Sequence, residues 1–159
     1  MRLKVRPMTV YDKPAIIQTL KDIAEFTPDE VTVAEEVIDS YLRDSTSSGY
    51  HVFVAEIGSS IAGYICYGPT PLTEGTWDIY WLAVAPKQQS QGIGKALLAF
   101  AEDRIQQTRS RMILIETSSK PEYAATRRFY RAQDYKLACR IADFYSTNDD
   151  KLIFQKRLR

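Results

Sequence analysis

Hydrophobic positions along the 159-residue chain switch repeatedly between the strand period of two and the helix period of 3.6. Leu3 to Arg6 reads as a short strand. Asp12 then stands where a helix cap would, with Pro14 in the first turn and Ile16, Ile17, Leu20 and Ala24 on one face. Thr32 and Glu35 have capping-box spacing ahead of Val33, Val37, Ile38, Tyr41 and Leu42, which predicts a second helix ended by the Ser/Thr/Gly run at 45–49. Tyr50 to Glu56 and Ile61 to Tyr67, joined through Gly58, Ser59 and Ser60, predict an antiparallel hairpin.

The next strand, Trp77 to Val84, is apolar on both alternating faces, with Trp77, Ile79, Trp81 and Ala83 on one and Tyr80, Leu82 and Val84 on the other. Such a strand belongs at the centre of a sheet covered on both sides. Ile93, Ala96, Leu97, Phe100, Ala101 and Ile105 follow at helical spacing, and residues 112–115 form another strand, so this pair should be parallel. Ser119 and Glu122 suggest a capping box for a helix reaching about Gln133. Strands near Tyr135 to Tyr145 and Lys151 to Leu158 close the chain, with residues 146–150 as their turn. Neither repeats nor a linker divides it, so residues 1–159 are expected to form a single domain.

Composition narrows the chemistry. A net charge of +1 gives no whole-chain electrostatic footprint for nucleic acid or anionic lipid. Cys66 and Cys139 lie far apart in apolar runs and read as core thiols, and His51 cannot complete a metal site with them. With no apolar run near the roughly 20 residues that span a bilayer and no signal-peptide pattern, a cytoplasmic location is expected.

Residues 86–100, PKQQSQGIGKALLAF, open the third helix with two glycines. Glycine is a poor helix former, but a helix N-terminus carries unpaired N–H groups, and glycine lets an anion approach them. The stretch suits phosphate. It is not a Walker loop, because Ala96 follows Lys95 and the earlier glycine is missing. Nor is it a dinucleotide fingerprint, whose third glycine is replaced by Leu97.

What remains, Gln89-Ser90-Gln91-Gly92-Ile93-Gly94 after a strand ending in LeuAlaValAlaPro, resembles the pyrophosphate loop of the GCN5-related N-acetyltransferase (GNAT) superfamily. The resemblance covers nearly the whole chain: two N-terminal helices, hairpin, LAV strand, glycine-opened helix, and the FYRAQDY and DFY segments arrive in the family's order. It implies an α/β (α+β) fold, a mixed, mostly antiparallel seven-stranded sheet splayed between strands 4 and 5 and flanked by about four helices. Acetyl-coenzyme A would enter that splay as co-substrate, without a metal. Backbone groups of Leu82, Ala83 and Val84 would hold its pantetheine arm, and Gln89, Ser90, Gln91, Gly92, Ile93, Gly94 and Lys95 its pyrophosphate.

The resemblance also assigns roles. Tyr130 matches the tyrosine beside the coenzyme sulfur, a general acid for the departing thiolate. Tyr123 stands where the family often has a cofactor-orienting asparagine, a departure from the pattern. An alkylammonium with a pKa near 10.4 must lose a proton before it can attack. Asp78, an acid in an otherwise apolar strand, matches the catalytic carboxylate of the histone-acetylating branch; the plainer reading has it cap a neighbouring loop. Glu74, Glu116 and Tyr145 are rival bases, and Tyr80, Glu116 and Tyr145 are candidate acceptor contacts. The expected partner is a small-molecule amine, with neither nucleic acid nor membrane, and a homodimer stays open. A protein or peptide N-acetyltransferase and a non-catalytic acyl-coenzyme A sensor are the alternatives.

Overall fold

A computed structural model describes residues 2–158. Its strands are β1 (Leu3–Pro7), β2 (His51–Ile57), β3 (Ser60–Pro69), β4 (Thr76–Val84), β5 (Met112–Ser118), β6 (Lys136–Ser146) and β7 (Asp149–Arg157). Its helices are α1 (Lys13–Asp22), α2 (Pro28–Arg43), α3 (Ile93–Gln106) and α4 (Ala124–Ala132). The strands form one sheet in the order β1-β2-β3-β4-β5-β7-β6. Every neighbouring pair is antiparallel except β4 and β5, which the α3 crossover makes parallel.

Two apolar clusters hold the layers together. On one face α1 and α2 bury Ile16, Leu20 and Ile38 against Val52, Val54 and Tyr64. On the other, α3 and α4 bury Leu97, Ile105 and Tyr130 against Ile113, Ile115 and Phe154. Each fully buried side chain of this size contributes about 1.5–3 kcal/mol.

The parallel pair is short. Its register runs from Thr76 opposite Met112 to Ile79 opposite Ile115 and ends there. Beyond it Tyr80 to Val84 keep only β3 beside them, while Glu116, Thr117 and Ser118 pair only with β7. The sheet is therefore split from within, as the resemblance implies.

Several local expectations are corrected. The face assignment along Trp77 to Val84 fails because β4 bulges. Cys66 pairs with Trp81 and Tyr67 with Ile79, leaving Tyr80 without an opposite residue. An inserted residue reverses the alternation beyond it. Trp77 and Ile79 thus share the α3 face with Leu82 and Val84, whereas Trp81 and Ala83 join the α1–α2 face.

The second helix starts earlier than Thr32. Thr27 accepts from the Glu30 amide and Glu30 reaches back to the Thr27 amide, with Pro28 in the first turn. Thr32 instead donates to the Pro28 carbonyl. Asp12 occupies the cap position of α1 without capping it. Its carboxylate closes the preceding turn on the Thr9 amide and takes two bonds from Arg6. Ala24 lies beyond α1. Ser119 accepts from the Asp150 amide rather than capping a helix, and α4 begins at Ala124 after a tight turn opened by Pro121. Cys66 is buried as expected, but Cys139 is exposed on edge strand β6.

Candidate active site

The open half of β4 ends beside the start of α3. Gly92 sits just before that helix at φ +80, a left-handed conformation that side chains rarely adopt, and caps nothing with a side chain of its own. Among the described residues no oxygen accepts from the amides of Gly92 to Lys95; the first helical bond there runs from Ala96 to the Gly92 carbonyl. Unpaired amides at a helix start form a partial positive charge aimed outward. A Cβ on Gly94 would meet only the Phe129 ring at 3.5 Å and Val84 at 3.6 Å, ordinary contacts. The fold itself does not demand glycine there, so its use leaves space over the backbone. Gln89 folds back to donate to the Val84 carbonyl at 3.3 Å, joining the loop to the end of β4.

Phe129 also brings α4 to this point. The adjacent Tyr130 is 7% exposed and belongs to the cluster that Leu82 and Val84 edge. Its ring packs against Phe129, Tyr135 and Phe154, and among the described residues no group bonds its hydroxyl. Burial pushes that hydroxyl up to about 12, so it is a phenol throughout neutral pH. The arginines of α4 are only partly a solvated face. Arg127 donates to the Ser118 and Lys120 carbonyls, and Arg131 lies over Phe154.

Asp78 lies in the closed half of β4, between Gly68 of β3 and Leu114 of β5. It is half-buried on the face opposite Trp77 and Ile79. One oxygen, Oδ2, accepts from Thr70 at 2.6 Å. Tyr80, two residues on, is 40% exposed and edge-on to Tyr50. Burial, and then the Asp78 charge, push its hydroxyl up to about 12.

The remaining candidates are more dispersed. Glu116 is exposed and paired with Lys151 at 3.1 Å, and Glu74 is exposed in the β3–β4 connection. Tyr145 is exposed at the β6–β7 hairpin, its hydroxyl raised first by burial and then by Glu116, Asp149 and Glu30. Tyr123 donates to the Glu25 carbonyl at 2.9 Å. That bond ties the α1–α2 connection to α4, and in the same connection Phe26 lies edge-on to Trp81 of β4 at 5.7 Å. The strap formed this way was not foreseen. A large apolar residue such as Phe26 between two helices was its only signal. Among the described residues no group of acids, histidines and cysteines could hold a metal ion, and no helix is long and apolar enough to cross a membrane.

The chain matches a crystal structure from Desulfovibrio desulfuricans assigned to the GNAT family at 38% identity and a TM-score of 0.94, over 98% of this chain and 99% of that one. The ribosomal-protein-S18-alanine N-acetyltransferase of Escherichia coli aligns at 19% identity and a TM-score of 0.77, covering 98% and 94%. The PaiA N-acetyltransferase of Thermoplasma acidophilum, solved with coenzyme A, aligns at 15% and 0.77, covering 99% and 100%. These last two show a shared fold. A search of curated proteins gives no match. The family model described as acetyltransferase (GNAT) domain matches residues 48–137, more than half of the chain, from just before β2 into β6. The chain belongs to the GNAT acetyltransferase family.

Proposed function

We propose that the protein transfers an acetyl group from acetyl-coenzyme A to the primary amine of a small molecule, by direct attack with both substrates bound. One observation carries this reading: the half-strand Tyr80 to Val84, open on one side, leads to the unpaired amides of Gly92 to Lys95. A pantetheine arm needs such a strand edge, and a diphosphate needs such a helix start. Bound there, acetyl-coenzyme A supplies an activated acyl group on a thiol leaving group.

The chain's residues then divide the work. Leu82, Ala83 and Val84 present backbone groups to the arm, and Gln89 to Lys95 wrap the diphosphate. Tyr130 keeps its proton until the departing sulfur needs it. Asp78 takes the proton that frees the amine lone pair, directly or through a water. Tyr123 steadies the site from its edge through the Glu25 carbonyl.

The small-molecule reading has its own support. The strap from Phe26 to Trp81 and from Glu25 to Tyr123 crosses toward α4 beside the open half of β4, narrowing the side from which an extended peptide would come. Glu30 and Asp149 lie near both Tyr123 and Tyr145, a rim that favours a cationic amine. Thiol release from acetyl-coenzyme A should be followed with amino acids, polyamines, aminoglycosides and short peptides. Release with small amines and not peptides is expected. Peptides alone as acceptors would move the reading to a protein acetyltransferase. Binding of acetyl-coenzyme A without turnover of any amine would favour a sensor.

A further inference from the structure

We infer that Thr70 is a positioning residue: its hydroxyl fixes the Asp78 carboxylate so that one oxygen stays free to accept the acceptor's proton. The inference rests on the reading of Asp78 as the base. Thr70 Oγ1 donates to Asp78 Oδ2 at 2.6 Å, whereas Oδ1 has no hydrogen-bond partner among the described residues. A carboxylate held by one oxygen keeps its rotamer and still offers the other to a proton.

The connection that carries Thr70 is itself anchored. The Thr70 amide donates to the Thr76 carbonyl at 2.9 Å, and Thr73 Oγ1 donates to the Thr70 carbonyl at 2.7 Å. The Gly75 carbonyl accepts from Arg111 and Met112, at 2.6 and 3.2 Å. Thr76 opens β4 and Met112 opens β5, so the connection is pinned to the closed end of the split sheet. Thr70 therefore moves with the strand pair that carries Asp78.

The surroundings make its influence readable. On β4, Tyr80 is the titratable neighbour, with Tyr50 of the segment before β2 against its ring. On β3 the buried Cys66 thiol is raised by burial and stays neutral. On β5, Leu114 lies opposite, and Glu116 beyond it is paired with Lys151 of β7. In the β3–β4 connection Glu74 is exposed. Among the described residues no lysine, arginine or histidine forms an ion pair with Asp78. The hydroxyl of Thr70 is thus the donor bonded to the carboxylate, and the Tyr80 hydroxyl lies near the same group.

In the step served, an N–H bond of the substrate ammonium breaks, its electron pair stays on nitrogen, and an O–H bond forms at Asp78 Oδ1. Removing the hydroxyl leaves the base in place but lets its carboxylate turn away from the acceptor. With whichever amine of the panel turns over, Thr70→Val should lower kcat about tenfold while the acetyl-coenzyme A dissociation constant and the amine KM stay within a few-fold, and Thr70→Ala should do the same should Val disturb folding. Thr70→Ser should restore kcat. In an Asp78→Asn background the same substitutions should change kcat no further. Native kcat in both Thr70→Val and Thr70→Ala, or the same roughly tenfold loss in the Asp78→Asn background, would overturn the inference. Full amine-dependent thiol release by Asp78→Asn with Thr70 intact would overturn the base reading instead.

Discussion

The two halves of β4 have opposite fates. Thr76 to Ile79 are paired with β5 on one side, and Trp77 to Ile79 with β3 on the other. Tyr80 to Val84 keep only β3, although they lie in the middle of a seven-stranded sheet. Backbone groups in the closed half are spent on neighbours, and those in the open half await a partner. The division falls at the bulge, where Tyr80 has no opposite residue. A strand can thus serve as core for half its length and as a binding edge for the rest, with one extra residue marking the change.

Truncating side chains in the two halves should therefore have different consequences. Ile79 is buried at the end of the closed half, where Ile79→Ala should cost about 3 kcal/mol in chemical denaturation. Leu82 is only half-buried on the same face, and Leu82→Ala should cost about 1 kcal/mol while weakening acetyl-coenzyme A in calorimetry. Equal stability losses, or weaker coenzyme binding in the Ile79 variant alone, would break the comparison.

The glycines at the end of the open half offer the next test. Gly94→Asp places a side chain and a negative charge over the free amides of α3, and Gly92→Asp strains a left-handed residue at the same point. Either should weaken acetyl-coenzyme A by about a hundredfold with melting temperature nearly unchanged for Gly94→Asp, whose Cβ meets no close neighbour. Near-normal affinity in both variants would remove the loop from the cofactor site.

These regions differed in how far they could be read from sequence. The glycine loop was legible because helix-start chemistry is local: two glycines, a preceding strand and a following apolar stripe are all within reach of each other. The parallel pair and the splay followed from element order and the family resemblance. The bulge was not legible, since it exists only in the register of Tyr67 and Cys66 against Ile79 and Trp81, and alternation read along one strand cannot reveal it. The Thr70–Asp78 bond was hidden likewise, because it depends on how the 70–76 connection closes. The Thr70 bond gives Asp78 the loop contact of the plainer reading, and the proposed base role asks the same carboxylate for its other oxygen. The start of α2 was a different failure. Thr27, Pro28 and Glu30 carry the full capping pattern, and the competing spacing at Thr32 and Glu35 obscured it.

Tyr130 sharpens the comparison on the chemistry that the open half would host. Tyr130→Phe removes a hydroxyl that no described group bonds and keeps the ring packed on Phe129, Tyr135 and Phe154. Stability should therefore hardly change. If the hydroxyl acts only as the carbon–sulfur bond breaks, kcat should fall by about ten- to a hundredfold, at or below the lower end for general acids because a thiolate leaves readily. Coenzyme affinity should stay within a few-fold. An unchanged kcat with chemistry limiting would make Tyr130 a wall of the thiol pocket.

The smallest effect expected is an absence of change where an ordinary tyrosine would show one. A solvated phenol loses its proton near pH 10, and a general acid of that kind would halve kcat there. Burial raises the Tyr130 hydroxyl to about 12. Folding therefore favours its protonated form, and the associated stability is complete below the unfolded value near 10 and lost only as pH rises through about 12. At saturating acetyl-coenzyme A and amine, with thioester hydrolysis subtracted, kcat should stay level from pH 8 to about 11. Tyr130→Phe should run parallel below it across the same range. A native midpoint near pH 10 that vanishes in the Phe variant would place the hydroxyl in solvent rather than in the apolar cluster beside Leu82 and Val84. The open half of β4 would then lack the buried acid that this reading of the site requires.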